Sequence, residues 1–218
     1  MLTVFGRRNS ANVQKVLWLI GELRLPHRHV PKGGSFGGLD TLEYRAMNPA
    51  RKVPVIDDQG VVVWESHAIL RYLAARAARD GAEQFWPELP SRRARIEPWM
   101  DWSQSSFQPD FLNGVFWGLY RTPEPQRDWP AIRAALARCE EHTKILDDML
   151  AQRPFLAGET LSLADISVGT LMFRYFTLDI ERPARPHVEA WYRRLEDRPA
   201  YRENVMVPYD DLFGRLAF

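Results

Sequence analysis

The sequence predicts an α/β domain over residues 1–79, a linker over 80–90 and an all-helical domain over 91–218. Three observations carry this. Strand-like and helix-like apolar patterns alternate through the first 80 residues. Residues 80–90 hold Gly81, Pro87 and Pro90 and no helical period. Beyond them, apolar residues recur at three-four spacing. The chain has 218 residues, 45% hydrophobic and 26% charged, which is a globular composition and neither a disordered nor a fibrous one.

Residues 2–6 are short, apolar and β-prone, and end at a glycine. Asn9, Ser10 and Asn12 then precede Val13, Val16, Leu17, Ile20 and Leu23, a helical spacing entered through capping residues and closed by Pro26. Residues 28–31 read as a short strand, the GGSFGG run at 33–38 as a mobile loop, and 39–47 as a short helix stopped before Asn48-Pro49. Residues 53–56 form a strand ending in the turn Asp57-Asp58-Gln59-Gly60, and 61–63 are its hairpin partner. A helix starts at Glu65-Ser66 with Ile69, Leu70, Tyr72 and Leu73 on its apolar side. The first domain is therefore βαβ followed by ββα, with one short helix between. In the second, 92–120 is a helix or helix pair with Pro98 and Pro109 as kinks or boundaries. Further helices follow over 132–150, 161–176 and 187–195.

Charge and motifs exclude several function classes. The net charge is +1, so nothing points to nucleic acid or an anionic membrane. Residues 1–80 carry 12 basic and 7 acidic side chains; that suits a small anionic ligand, and chance surface variation gives the same numbers. The longest purely apolar run is 16–20, far short of the roughly 20 residues of a membrane span. No signal-peptide pattern follows Arg7 and Arg8, and the single Cys139 excludes internal disulfides, so the expected setting is cytoplasmic. GGSFGG lacks the Lys-Ser/Thr of a phosphate loop, and there is no GxSxG elbow. His27 and His29 alternate on a short edge strand, a poor basis for a metal site, so no metal is expected. Cys139 lies on the apolar stripe of a helix with nothing nearby to lower its pKa, and reads as a structural thiol. Sulfur chemistry would need a thiol brought by a ligand.

The turn at 6–12 is where such a ligand would sit. A strand-to-helix junction presents free backbone N–H groups and the positive end of the helix dipole. Ser10 adds a hydroxyl and Asn12 an amide, with Arg7 and Arg8 nearby; on local pattern alone, a plain N-cap is the commoner use of either residue. Val53-Pro54 opens a strand, where proline is compatible with a cis peptide freeing the Val53 backbone for a peptide-like ligand, and equally with an ordinary edge proline. Glu65-Ser66 at a helix start can take an ammonium and a carboxylate, the head group of an α-amino acid, or Ser66 can simply cap.

Together these residues resemble the cytosolic glutathione S-transferase family over nearly the whole chain. The matching stretches are Gly6-Arg-Arg-Asn-Ser-Ala-Asn-Val-Gln-Lys15, Asn48-Pro-Ala-Arg-Lys-Val-Pro-Val55, Trp64-Glu-Ser-His-Ala-Ile69 and Leu161-Ser-Leu-Ala-Asp-Ile166. The opening is most similar to bacterial theta- and nu-like members of Ser/Asn type. The resemblance implies a thioredoxin-like first domain, glutathione as co-substrate, a small hydrophobic electrophile and a homodimer. In that dimer the helix from Ser66 and the one after Ser91 would face the partner. It implies that Ser10 and Asn12 contact the glutathione sulfur, and that the Val53 backbone before a cis-Pro54 pairs with the cysteinyl unit. Glu65 and Ser66 would hold the γ-glutamyl head, and Lys52 would reach the glycine carboxylate. Ser162 and Asp165 would form a capping box with Leu161 and Ile166 as its staple, a structural role. Two of Phe107, Phe111, Phe116, Trp117 and Tyr120 would line the electrophile pocket. Thiolate transfer is the first reading; glutathione-dependent disulfide reduction and a non-catalytic glutathione-binding module of the same fold are the alternatives.

Overall fold

A computed structural model describes residues 1–216 of the chain. The chain divides into two compact units, one of Met1–Pro87 with Pro199–Val207, the other of Glu88–Arg198 with residues 208–216. The segment Pro199–Val207 thus belongs with the α/β unit, whereas the sequence assigned everything after residue 90 to the helical domain.

In the first unit, β1 (Leu2–Phe5) is flanked by β2 (His27–Val30), parallel, and β3 (Val55–Asp58), antiparallel. β4 (Val61–Trp64) pairs antiparallel with β3, giving the order β2-β1-β3-β4. The inner strand β1 is buried on both faces, with Leu2, Thr3 and Val4 all covered, whereas the edge strand β4 exposes Val61, Val62 and Trp64. The parallel β1–β2 pair requires a crossover, and α1 (Ala11–Glu22) supplies it. The short α2 (Leu42–Met47) precedes β3, and α3 (Ser66–Ala78) follows β4, burying Ile69, Leu70 and Leu73. Across α3, the β3 carboxylate Asp58 accepts from Tyr72 at 2.8 Å and pairs with Arg76. Burial works against its ionisation, but these two donors outweigh it and hold Asp58 below the ordinary carboxylate range.

α1 is not amphipathic in the simple sense its spacing suggested. Every residue from Val13 to Ile20 is buried, Gln14 and Lys15 included. The cover on its far side is α10 (Pro199–Asn204), a helix the sequence reading did not contain. Tyr201 meets Trp18 edge-to-face at 4.7 Å, Gln14 donates to the Val205 carbonyl at 3.4 Å, and Arg8 to the Glu203 carbonyl at 2.9 Å.

The second unit is helical. After α4 (Pro90–Arg93), α5 (Glu97–Trp102) passes into wider turns over Ser103–Phe107 and Pro109–Arg121, where each N–H reaches five residues back, as Thr122 N does to the Trp117 carbonyl at 2.9 Å. Pro109 sits inside this run; a widened turn accommodates a residue that has no N–H and crowds the preceding carbonyls. Gly114 and Gly118 let this helix approach α6 (Trp129–Leu150). A Cβ on Gly114 would lie 2.7 Å from the Ala135 Cβ, and one on Gly118 2.8 Å from Ile132. Gly114→Val is therefore expected to lower stability by about 1–3 kcal/mol, read as an earlier thermal transition, because neither backbone can yield without prising the pair apart.

The predicted helix over 161–176 is broken into α7 (Leu163–Gly169) and α8 (Met172–Thr177). Thr170 turns its hydroxyl back onto the Ile166 carbonyl at 2.7 Å, a bond that competes with the helical ladder, and Leu171 N reaches Val168 instead. α9 (Pro186–Glu196) is capped from a distance: Asp147 of α6 accepts from His187 N at 2.8 Å and Val188 N at 3.1 Å. At the start of α7 the buried Asp165 accepts from the N–H and the hydroxyl of Ser162, each at 2.9 Å, from Leu156 N at 2.9 Å and from Trp191 Nε1 at 3.0 Å. It fastens the helix start, the preceding loop and α9 together, beyond the local box the sequence implies. Cys139 is buried, and burial pushes its thiol up to about 12, which leaves it inert.

Candidate functional site

The turn between β1 and α1 is shaped by Gly6. Its φ is +151°, and a Cβ there would lie 2.5 Å from a Val13 methyl and 3.2 Å from the Val53 Cβ. Only glycine lets the Val53 segment close onto this turn. Gly6 is also tied to β2: its N–H donates to the Val30 carbonyl at 3.0 Å, and its carbonyl is 2.7 Å from His29 Nε2. Burial, opposed by the Gly6 carbonyl and aided by Arg8 and His27, pushes the His29 pKa down, so a neutral ring donates through Nε2. His29 thus anchors the turn; the sequence showed only an edge-strand histidine.

Ser10 occupies the N-cap position of α1 with extended backbone (φ −84°, ψ 122°), yet its hydroxyl makes no capping bond. The plain-cap reading of its side chain is therefore not realised. Asn12 lies inside the first turn of α1, and its buried Oδ1 has no hydrogen-bond partner among the described residues. The two arginines are engaged nearby: Arg7 donates to Asn9 Oδ1 at 2.8 Å and Arg8 to the α10 carbonyl.

The Val53–Pro54 peptide is cis. The backbone before it is held through the Lys52 carbonyl, which accepts from the Tyr44 hydroxyl at 2.8 Å and from Asn48 Nδ2 at 2.9 Å. Neither tether was singled out from the sequence, although Asn48 stood in one of the quoted stretches. Burial pushes the Tyr44 phenol up to about 12, so it stays a donor. The Lys52 side chain itself is exposed.

Glu65 is the N-cap of α3, exposed, with φ +68°, the left-handed region that non-glycine residues rarely occupy. Ser66 follows as the first helical residue. It is only 1% exposed, and its Oγ has no hydrogen-bond partner among the described residues. A buried hydroxyl at the start of a 13-residue helix, beside free N–H groups, is a place for an anion. Beneath this corner Lys15 Nζ lies 3.2 Å from His67 Nε2, and both residues are buried. The sequence reading passed over both; the signal was a lysine placed between Val13 and Val16 in a run that, Gln14 aside, is otherwise apolar to Ile20.

In the helical unit Phe107 and Phe111 are fully enclosed, stacked on each other at 5.9 Å, with Trp102 stacked on Phe107 at 5.7 Å. Phe116 is enclosed as well. Trp117 and Tyr120 keep exposed area, with Arg121 over the Trp117 ring at 4.0 Å. Two grooves of about 490 and 610 Å³ flank the 180–185 loop, and none of these five aromatics lines either. Among the described residues no cluster of His, Cys, Asp and Glu is suited to a metal ion, and no helix is long and apolar enough to cross a membrane.

Residues 4–81 match the family model "Glutathione S-transferase, N-terminal domain", and residues 110–199 match "Glutathione S-transferase, C-terminal domain". The chain is 37% identical over 210 residues to glutathione S-transferase GstB of Escherichia coli K12, covering 95% of this chain and 99% of that protein. It is 31% identical to glutathione S-transferase 3 of Zea mays, covering 94% and 93%. A crystal structure of the theta class glutathione S-transferase from Xanthomonas axonopodis pv. citri, with glutathione bound, superposes with a TM-score of 0.89 at 44% identity, covering 95% of this chain and 98% of that one.

Proposed function

Since the chain belongs to the glutathione S-transferase family, we propose that it holds the thiol of glutathione as a thiolate at Ser10 and Asn12 for attack on a small hydrophobic electrophile. The observation that carries this reading is a Ser10 hydroxyl that does not cap its own helix, set at the start of α1 beside the Asn12 amide of the first turn. Glu65 and Ser66 take the γ-glutamyl ammonium and carboxylate, the Val53 backbone pairs with the cysteinyl unit, and Lys52 reaches the glycine carboxylate. The exposed Trp117 and the half-buried Tyr120 are the aromatics of the helical unit offered to the electrophile. A homodimer and a cytoplasmic setting belong to the same reading.

An ordinary thiol of pKa near 8.5 is only about 3% ionised at pH 7. Lowering it by roughly two units takes about 2.7 kcal/mol and leaves roughly three quarters as thiolate. A helix N-terminus contributes about 0.3–1 kcal/mol, and a hydrogen bond to a charged group about 1.5–3 kcal/mol. One donor plus the helix end is therefore sufficient without a general base. The thiol proton leaves to solvent. The sulfur lone pair forms the new C–S bond as the leaving group departs with its electrons.

The test is retention on immobilised glutathione followed by turnover of a chloronitrobenzene and of a small mixed disulfide. Retention abolished by Glu65→Ala, with conjugation of the arene, is the expected result. Turnover of the disulfide alone would assign reductase chemistry instead, and retention with no turnover of either would make the protein a binding module.

A further inference from the structure

α1 carries a lysine with no exposed surface. Its ammonium is within 3.2 Å of His67 Nε2, on the second residue of α3, directly after Glu65 and Ser66. Burying an ammonium is costly unless the fold returns something for it, and a hydrophobic side chain of that length would fill the same space. We propose that Lys15 is a positioning residue for the γ-glutamyl end of glutathione: it braces the Glu65–Ser66–His67 corner through His67 and Glu65, and it supplies the buried positive charge toward which the ligand carboxylate is drawn at Ser66. This rests on the glutathione-binding reading above.

The geometry makes the brace directional. Burial, then the charges of Lys15 and Arg71, push His67 down to about 2, so its ring is neutral and its Nε2 accepts from the amine. Burial pulls Lys15 down to about 7 while Glu65 opposes the shift, so the amine titrates near neutrality. The titratable groups around this pair are Glu65, at the N-cap of α3, and Arg71 on α3. α10, which also packs on α1, carries Arg202 and Glu203, both exposed, and the buried Tyr201. The Ser66 hydroxyl, buried and without a partner among the described residues, completes the receptor for an oxyanion. An arriving carboxylate favours the protonated amine, so binding takes up a proton as Lys15 charges. Affinity is then highest below about pH 7 and falls as the pH rises through it.

The experiment uses S-methylglutathione, which has no titrating thiol, in calorimetric titrations of the whole chain at pH 6 and pH 8. Two buffers of different ionisation heat are used at each pH, so that the difference in heat counts protons. The expected result has two parts. Wild-type binding takes up a fraction of a proton near pH 7, and Lys15→Met weakens binding about tenfold at pH 6 with a smaller deficit at pH 8 and no proton uptake. Lys15→Met should melt no earlier than wild type at pH 6, because it removes a buried charge. His67→Gln, which keeps an acceptor, should bind better than His67→Leu. Equal affinity of Lys15→Met and wild type at pH 6 overturns the inference and leaves the functional reading intact. Should Lys15→Met fail to fold, wild-type binding with no proton uptake overturns it alone. Failure of the wild type to bind S-methylglutathione at all removes the functional reading itself.

Discussion

Replacing Ser10 and Asn12 together by alanine is expected to lower turnover at pH 7 by about 25-fold while glutathione still binds. Each removed donor takes away about 1.5–3 kcal/mol of thiolate stabilisation, which moves the thiol midpoint up by roughly one to two units. The measurement is thiolate absorbance against pH on the saturated complex, for each single variant and for the pair. The midpoint should climb toward that of free glutathione, and the rate lost at pH 7 should partly return at pH 9, where the thiol ionises unaided. If neither single variant moves the midpoint, activation by these side chains is wrong. The nearby arginines would not easily replace them, because Arg7 donates to Asn9 and Arg8 to the Glu203 carbonyl.

The largest loss of stability is expected from Asp165→Ala. Its carboxylate is fully buried and gathers donors from Leu156, Ser162 and Trp191. Removing it leaves buried N–H groups with nothing to accept from them, at about 3–5 kcal/mol in total. For a protein of this size that corresponds to roughly 10 °C in the unfolding temperature. Asp165→Asn keeps one oxygen as acceptor and should fall between alanine and wild type. A transition within 2–3 °C of wild type for the alanine variant would mean that water replaces the carboxylate, contrary to this account.

What could be read from the residue order was whatever local chemistry encodes. The strands around Val4 and Val55, the start of α1 at Ser10 and the start of α3 after Glu65 follow from apolar period and turn residues. The break at Thr170 was missed because its cause is one hydroxyl bonding backward, which leaves the apolar spacing unchanged. The cap on α9 was missed because its acceptor, Asp147, is about 40 residues away in the chain. Lys15 and His67 were missed for a related reason. A single lysine in a helix ordinarily lies in water, and only the cover provided by α3 and α10 removes it. Ser10, Val53, Glu65 and Ser66 stood out from local chemistry at a helix start or strand start, and the family resemblance gave them their roles. What the fold adds is the left-handed corner at Glu65 and the close approach of Val13 and Val53 at Gly6, neither of which has a period to detect. Phe107 and Phe111 read as equivalents of Trp117 in the sequence, and only packing separates the enclosed rings from the open one.

The return of Pro199–Val207 to the first unit has a consequence for how the protein is made. Translation delivers Trp18 more than 180 residues before Tyr201, yet each ring is the other's neighbour. A ribosome that has released only the first 87 residues therefore holds an unfinished α/β unit with one flank of its first helix bare. That flank closes only after residues 199–207 emerge, so a fragment cut at the end of the α/β stretch should be sticky and short-lived rather than a free-standing domain.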